Sequence, residues 1–240
     1  MRKRLVDDVE DKIIEMIMIR QHDGESSIGD YVFNEGELAE KFSVSRSTVR
    51  EAVRSLEVRG FVERVHGIGI RLIDKGMTVV TQSFSDMFMR GEADYAELLE
   101  VRRIIEPQAV RLAALRATAD ELGAMMNSIR AMADEAISYQ EYVEADLLFH
   151  SLIVKATKNL SLMALVKSYE FIIKNLILAS TSPNFRPETV AGFHRKVYDH
   201  ILNRDPDGAE MAMKEHLSAT ESNVKNLHIG KLIDFPKSVV

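Results

Sequence analysis

Apolar positions recur at helical spacing from the first residues. Val9, Ile13, Ile14 and Ile17 share a face, which predicts a helix over 5–21. The stretch His22–Tyr31 is rich in turn residues and ends it. Asn34 is placed to cap a second helix, with Glu37 three residues on as its partner, and Leu38, Ala39 and Phe42 supply an apolar face. Ser43 and Val44 make a corner. Ser45 then caps a third helix that runs up to Gly60, a residue suited to a left-handed C-cap. Within that helix Val49, Ala52, Val53 and Leu56 form one stripe, while Ser47, Arg50 and Arg54 fall on the opposite side. After Gly60 the period shortens. Residues 61–65 and 70–73 read as two strands joined by His66-Gly67-Ile68-Gly69, a hairpin turn. Three helices followed by a hairpin make a winged helix-turn-helix.

From Met77 the pattern is helical almost to the end, with segments expected over 78–90, 94–117, 119–134, 138–157, 160–180, 186–203 and 206–228. Gly91, Asn159, Pro183, Pro187 and Pro206 punctuate them. No strand and no fixed-period repeat stands out in this part. The expected fold class is mainly α. A winged helix-turn-helix DNA-binding domain occupies 1–75, an all-α bundle of six or seven helices occupies 76–229, and a loosely held tail covers 230–240.

Composition changes this picture little. A length of 240 residues suits two domains, and 46% hydrophobic residues suffice for a core without covalent staples. The absence of cysteine excludes disulfides and thiolate metal sites. Asp7, Asp8, Glu10 and Asp11 interrupt the N-terminus, so neither a signal peptide nor a membrane span is expected and the protein is placed in the cytoplasm. Charge is more informative. The whole chain carries a net −6, yet Lys41 to Arg71 holds seven basic residues against three acidic ones. Positive charge is thus concentrated on the helix-turn-helix, pointing to double-stranded DNA as partner. Free amides and hydroxyls at the start of the third helix suit phosphate oxygens, and arginines there can fork onto guanine O6 and N7.

The run ELAEKFSVSRSTVREAVRSLEVRGFVERVHGIGIRLI closely resembles the DNA-binding domain of GntR-family bacterial transcription regulators, over roughly residues 5–75. That resemblance implies DNA contacts from Ser45, Arg46, Ser47, Thr48 and Arg50 in the recognition helix, and from His66 and Gly67 at the wing tip in the minor groove. The residues alone also allow Arg46 and Arg50 to bind only phosphates and His66 to be a plain turn residue. One position departs from the pattern: many members carry a basic, DNA-touching residue where this chain has Gly36.

In EADLLFHSLI, Asp146 and His150 stand at i and i+4 and project from one helix face, a spacing that can chelate a divalent ion. His194 and His216 sit on two further expected helices. A hydrogen-bonded surface pair and two solvent-facing histidines would equally explain the spacing. His200 has no evident partner. Residues 78–228 look like the FCD ligand-binding domain of the FadR subfamily, on the motifs ELLEVRRIIEPQAVRLAA, EADLLFH and the His194–Leu217 segment. By that resemblance Asp146, His150, His194 and His216 bind one divalent metal ion, zinc or nickel by the donor set, and the helix at 78–90 favours the seven-helix arrangement. It also implies a small carboxylate effector, an organic or sugar acid, with Arg102 facing the effector cavity. A salt bridge from Arg102 to Glu106 at i+4 is the alternative reading of that arginine.

The expected function is a ligand-responsive transcription repressor, a homodimer on a pseudo-palindromic operator. A helical metal-dependent hydrolase with an accessory winged-helix domain is the rival from another class, but no HExxH, glycine-rich phosphate loop or nucleophile–base pair accompanies the histidines. An architectural nucleic-acid binder is a second rival, disfavoured by the acidic net charge.

Overall fold

Helix α1 (Leu5–His22) buries Val9, Ile13 and Ile17, the stripe its sequence period marks. The computed structural model describes residues 4–179 and 187–225; the expected tail at 230–240 lies outside the described residues. The N-cap of α2 (Glu35–Phe42) is Asn34, whose Oδ1 accepts from the Glu37 amide at 2.8 Å. Ser43 closes α2 in the left-handed region (φ 54°), which turns the chain within two residues into α3 (Arg46–Val58). Val49, Ala52, Val53 and Leu56 of α3 are wholly buried against α1 and α2.

The wing strands β2 (Val62–Val65) and β3 (Gly69–Leu72) pair antiparallel, with Val62 opposite Leu72 and Val65 opposite Gly69. A third strand, β1 (Tyr31–Phe33), joins the far edge of β3 to give the order β1-β3-β2. It falls where the sequence shows only the end of a turn-rich stretch, because three residues are too few to display a period of two. Arg20 ties α1 to it: its Nη1 donates to the Val32 carbonyl at 2.9 Å while the guanidinium lies 4.8 Å from the Phe33 ring centre.

The chain divides into two compact units, Met1–Gln82 and Ser83–Val240, with the division inside α4 (Gly76–Met89). The second unit is helical throughout its described residues: α5 (Tyr95–Arg116), α6 (Ala119–Met132), α7 (Tyr139–Ala156), α8 (Leu160–Ala179), α9 (Pro187–Leu202) and α10 (Pro206–Lys225). Helix α4 precedes these six among the described residues. The signals that start them are local. Asp94, Thr118 and Ser138 cap α5, α6 and α7, each with a glutamate three residues on that answers the cap's own amide. Helix α5 packs against α10, α7 and α9, and this arrangement decides which polar residues meet in the interior. Among the described residues no helix is long and apolar enough to cross a membrane.

Two glycines of the N-terminal unit separate backbone strain from packing. Gly60 and Gly67 share φ +76°, but a Cβ at Gly60 would lie 2.8 Å from the Lys75 carbonyl carbon, whereas none at Gly67 meets anything within 4 Å. Gly67→Ala is expected to cost about 1–2 kcal/mol for the left-handed backbone alone. Gly60→Ala should cost about 1–3 kcal/mol more, because backbone must move to admit the methyl. Urea unfolding of both variants checks this, and equal losses would show that the Gly60–Lys75 approach is looser than described.

Candidate functional site

The start of α3 presents a cluster of hydroxyls. Ser45 Oγ accepts from the Thr48 amide at 3.1 Å and lies 2.7 Å from Ser47 Oγ and 2.8 Å from Thr48 Oγ1. Ser45, Arg46, Ser47 and Arg50 are exposed and Thr48 is half-buried, so the five recognition-helix residues picked from the sequence share one outer end of the helix. His66 and Gly67 are exposed at the wing tip. Asn34, Glu35, Gly36, Arg50, Arg64 and His66 help line one groove between α2, α3 and the wing.

The local excess of positive charge is smaller than it looks from the sequence. Arg59 pairs with Glu10, which lies outside the counted stretch, while Arg64 and Arg71 pair with Glu57 and Glu63, which lie inside it. Arg50 Nε donates to Glu35 Oε2 at 2.7 Å, so an anion approaching Arg50 must compete with that carboxylate. Arg46 and Arg54 have no ion pair among the described residues. At Gly36 a Cβ would stand 3.4 Å from Nη2 of Arg46. The space where many family members carry a basic side chain is thus bordered by the guanidinium of Arg46.

In the helical unit the four residues singled out by spacing come together. Asp146 and His150 lie one turn apart on α7, His194 on α9 and His216 on α10, and their ligand atoms all fall within 4.8 Å of one another. All four are buried, His194 completely. Surface placement, the alternative for these histidines, is therefore not what the chain adopts. His194 Nε2 is 2.9 Å from Asp146 Oδ1, and His150 Nε2 is 3.1 Å from His216 Nε2. Donors held about 2.0–2.1 Å from one ion stand about 2.9–3.4 Å apart, so both pairs have the separation of neighbours on a single coordination sphere. Phe149 closes one side, its ring edge-on to His194 at 5.0 Å and to His150 at 5.9 Å.

Burial alone would raise the Asp146 carboxyl, but the hydrogen bond and charge of His194, with His150 and His216 behind, hold it well below the usual carboxylate range. Burial and the neighbouring histidines push His216 well below the usual imidazole value. An ionised carboxylate beside a neutral imidazole is the protonation state that metal ligands need. His216 Nδ1 is buried and has no hydrogen-bond partner among the described residues.

Behind the cluster stand Arg102, the residue expected to face the effector cavity, and Glu106, which the sequence did not mark as a site residue. Arg102 Nε donates to Glu106 Oε1 at 2.5 Å, with Nη2 at 3.4 Å from Oε2, so the i+4 salt bridge is present and completely interior. Glu106 Oε2 lies 2.7 Å from His150 Nδ1, although the N–H direction is not aligned as a full hydrogen bond. Burial raises the Glu106 carboxyl, yet Arg102 and then His150 outweigh it and keep the group ionised. Tyr142 on α7 donates to Asp146 Oδ1 at 3.5 Å. The Tyr169 hydroxyl on α8 is buried without a hydrogen-bond partner among the described residues, and burial with the nearby Glu106 charge pushes its phenol upward. Of Glu106, Tyr142 and Tyr169, only Glu106 is hinted at in the sequence, by its i+4 spacing from Arg102. His200 pairs with Asp205 at 2.8 Å in the turn before α10, apart from the cluster.

Comparison with known proteins decides what kind of molecule carries these two features. Residues 5–72 match the model described as bacterial regulatory proteins, gntR family, and residues 97–219 match the FCD domain. The chain belongs to the GntR family. The regulator is 30% identical to the Uxu operon transcriptional regulator of Escherichia coli, across 86% of this chain and 85% of that protein. It is 26% identical to the Glc operon transcriptional activator of Escherichia coli, across 95% of this chain and 92% of that one. Among solved structures, Streptococcus agalactiae GntR aligns with a TM-score of 0.69 at 25% identity, covering 91% of this chain and 99% of that chain. The family and these relatives are transcription regulators and not enzymes, which removes the hydrolase reading.

The interior ion pair makes a thermodynamic prediction. Glu106→Leu leaves the Arg102 guanidinium buried and uncompensated and should cost about 3–5 kcal/mol, whereas the double replacement Arg102→Leu with Glu106→Leu removes both charges and should cost far less. Urea unfolding of the metal-free single and double variants, measured side by side, checks the difference. Equal destabilisation would mean the pair is not interior.

Proposed function

We propose that this DNA-binding regulator is a homodimer that reads a pseudo-palindromic operator and senses a small carboxylate, such as an organic or sugar acid, at a divalent metal site in its helical unit. The observation that carries the reading is the buried group of Asp146, His150, His194 and His216 lying beside the Arg102–Glu106 pair. One carboxylate and three neutral imidazoles suit zinc or nickel and leave coordination positions open. An effector carboxylate is drawn to such an ion and to the Arg102 guanidinium, and the buried Tyr169 hydroxyl offers a further hydrogen bond. A bound ion would supply electrostatic attraction for the effector, which Arg102 and Tyr169 would orient.

On the DNA side, Arg46 and Arg50 take the base-reading role, Ser45, Ser47 and Thr48 engage phosphates through hydroxyls and helix-end amides, and His66 and Gly67 follow the minor groove. A two-fold dimer sets two such helices about one DNA turn apart. The effector alters operator affinity only by binding the two domain arrangements unequally. Repression is the simplest sign, since an occupied operator excludes polymerase without further contacts; the activator name of one relative makes the opposite sign the outcome to test against it.

Arg46→Ala or Arg50→Ala is expected to weaken binding to an upstream promoter fragment by about 1–3 kcal/mol, roughly 5- to 150-fold, at fixed salt, while metal content stays unchanged. Fluorescence anisotropy and elemental analysis on the same samples read both. His150→Ala with His194→Ala should show the converse, losing metal while metal-free operator binding persists. Full metal retention in that double variant would remove the site assignment.

A further inference from the structure

Imidazole has two nitrogens, and a neutral ring that donates a lone pair to an ion must carry its proton on the other one. For His150 the two sides are unlike. Nε2 faces the cluster, 3.1 Å from His216 Nε2, while Nδ1 lies 2.7 Å from Glu106 Oε2, within reach of it but with the N–H turned off the hydrogen-bond line. An ionised carboxylate only accepts, and Arg102 holds the same carboxylate, Nε on Oε1 and Nη2 3.4 Å from the Oε2 that faces the ring. Of the three histidines, His216 has no partner among the described residues for its Nδ1, and His194 turns Nε2 to Asp146 within the cluster itself. A carboxylate outside the ligand set is placed behind His150.

We infer that Glu106 is a positioning residue of the metal site: clamped by Arg102, it draws the His150 proton to Nδ1 and commits the Nε2 lone pair to the ion. The inference rests on the metal reading proposed above. It also assigns a second role to the same carboxylate. Arg102 and a divalent ion are both positive and share one dry interior, so Glu106 offsets the guanidinium as Asp146 offsets part of the ion. One positive charge is left over, which a single effector carboxylate neutralises. Outer carboxylates of this kind typically change metal affinity by about 10- to 100-fold.

The test uses the full chain stripped of metal and zinc alone as probe, with affinity read by competition against a chromophoric chelator. Arg102→Leu with Glu106→Leu removes the ion pair as a unit and should weaken zinc binding about 10- to 100-fold. Arg102→Leu with Glu106→Gln keeps an acceptor facing Nδ1 and should stay within a few-fold of the parent. A role in packing alone would not separate these two variants. Nitrogen-15 spectra of the histidine-labelled, metal-free parent give a readout that needs no variant to fold: His150 should be protonated at Nδ1. Protonation at Nε2 in the parent, or zinc binding undiminished in the double leucine variant, overturns this inference while the metal site stands. A parent that takes up no zinc or nickel overturns the metal reading and the inference together.

Discussion

Six polar groups sit in the interior of the helical unit where four helices converge, and each must find compensation there. Arg102, Glu106, Asp146, His150, His194 and His216 are all less than a tenth exposed. An unpaired charge in such a place costs several kcal/mol, so the arrangement of α5, α7, α9 and α10 is tied to a set of contacts that leaves few alternatives. Arg102 answers Glu106, Glu106 reaches His150, and Asp146 reaches His194. The two histidine nitrogens facing each other at 3.1 Å share at most one proton, and the proposed cation would satisfy both lone pairs at once. The helix packing and the candidate sensing site are one structural fact seen from two sides.

The N-terminal unit carries a different constraint, the pairing of its arginines with carboxylates. Glu35, Glu57 and Glu63 hold Arg50, Arg64 and Arg71 in place while neutralising them. Such pairs are worth little in water, so a phosphate or guanine can displace them without great loss. They nevertheless fix side-chain direction before DNA arrives. Arg46 and Arg54, with no such partner among the described residues, leave their charge uncompensated by protein carboxylates.

Much of the fold is legible in the sequence because its signals are local. Asn34, Ser45, Asp94, Thr118 and Ser138 each announce a helix by a cap, and the Val49–Leu56 stripe announces which side of α3 is interior. Asp146 and His150 are legible as a pair for the same reason, being one turn apart. Strand β1 is not, since it exists only by pairing with β3 through an irregular register. The approach of Glu106 to His150 is not either, because 44 residues separate them and α5 meets α7 only through tertiary packing. Counting charges misleads for a related reason: it sees the basic residues near α3 but not Glu10, which comes to Arg59 from α1.

X-ray absorption on the zinc- or nickel-loaded full chain tests the central claim most directly. Only nitrogen and oxygen scatterers at about 2.0–2.1 Å are expected, with the multiple-scattering signature of three imidazoles. A first shell of oxygen alone, without imidazole scattering, would contradict it.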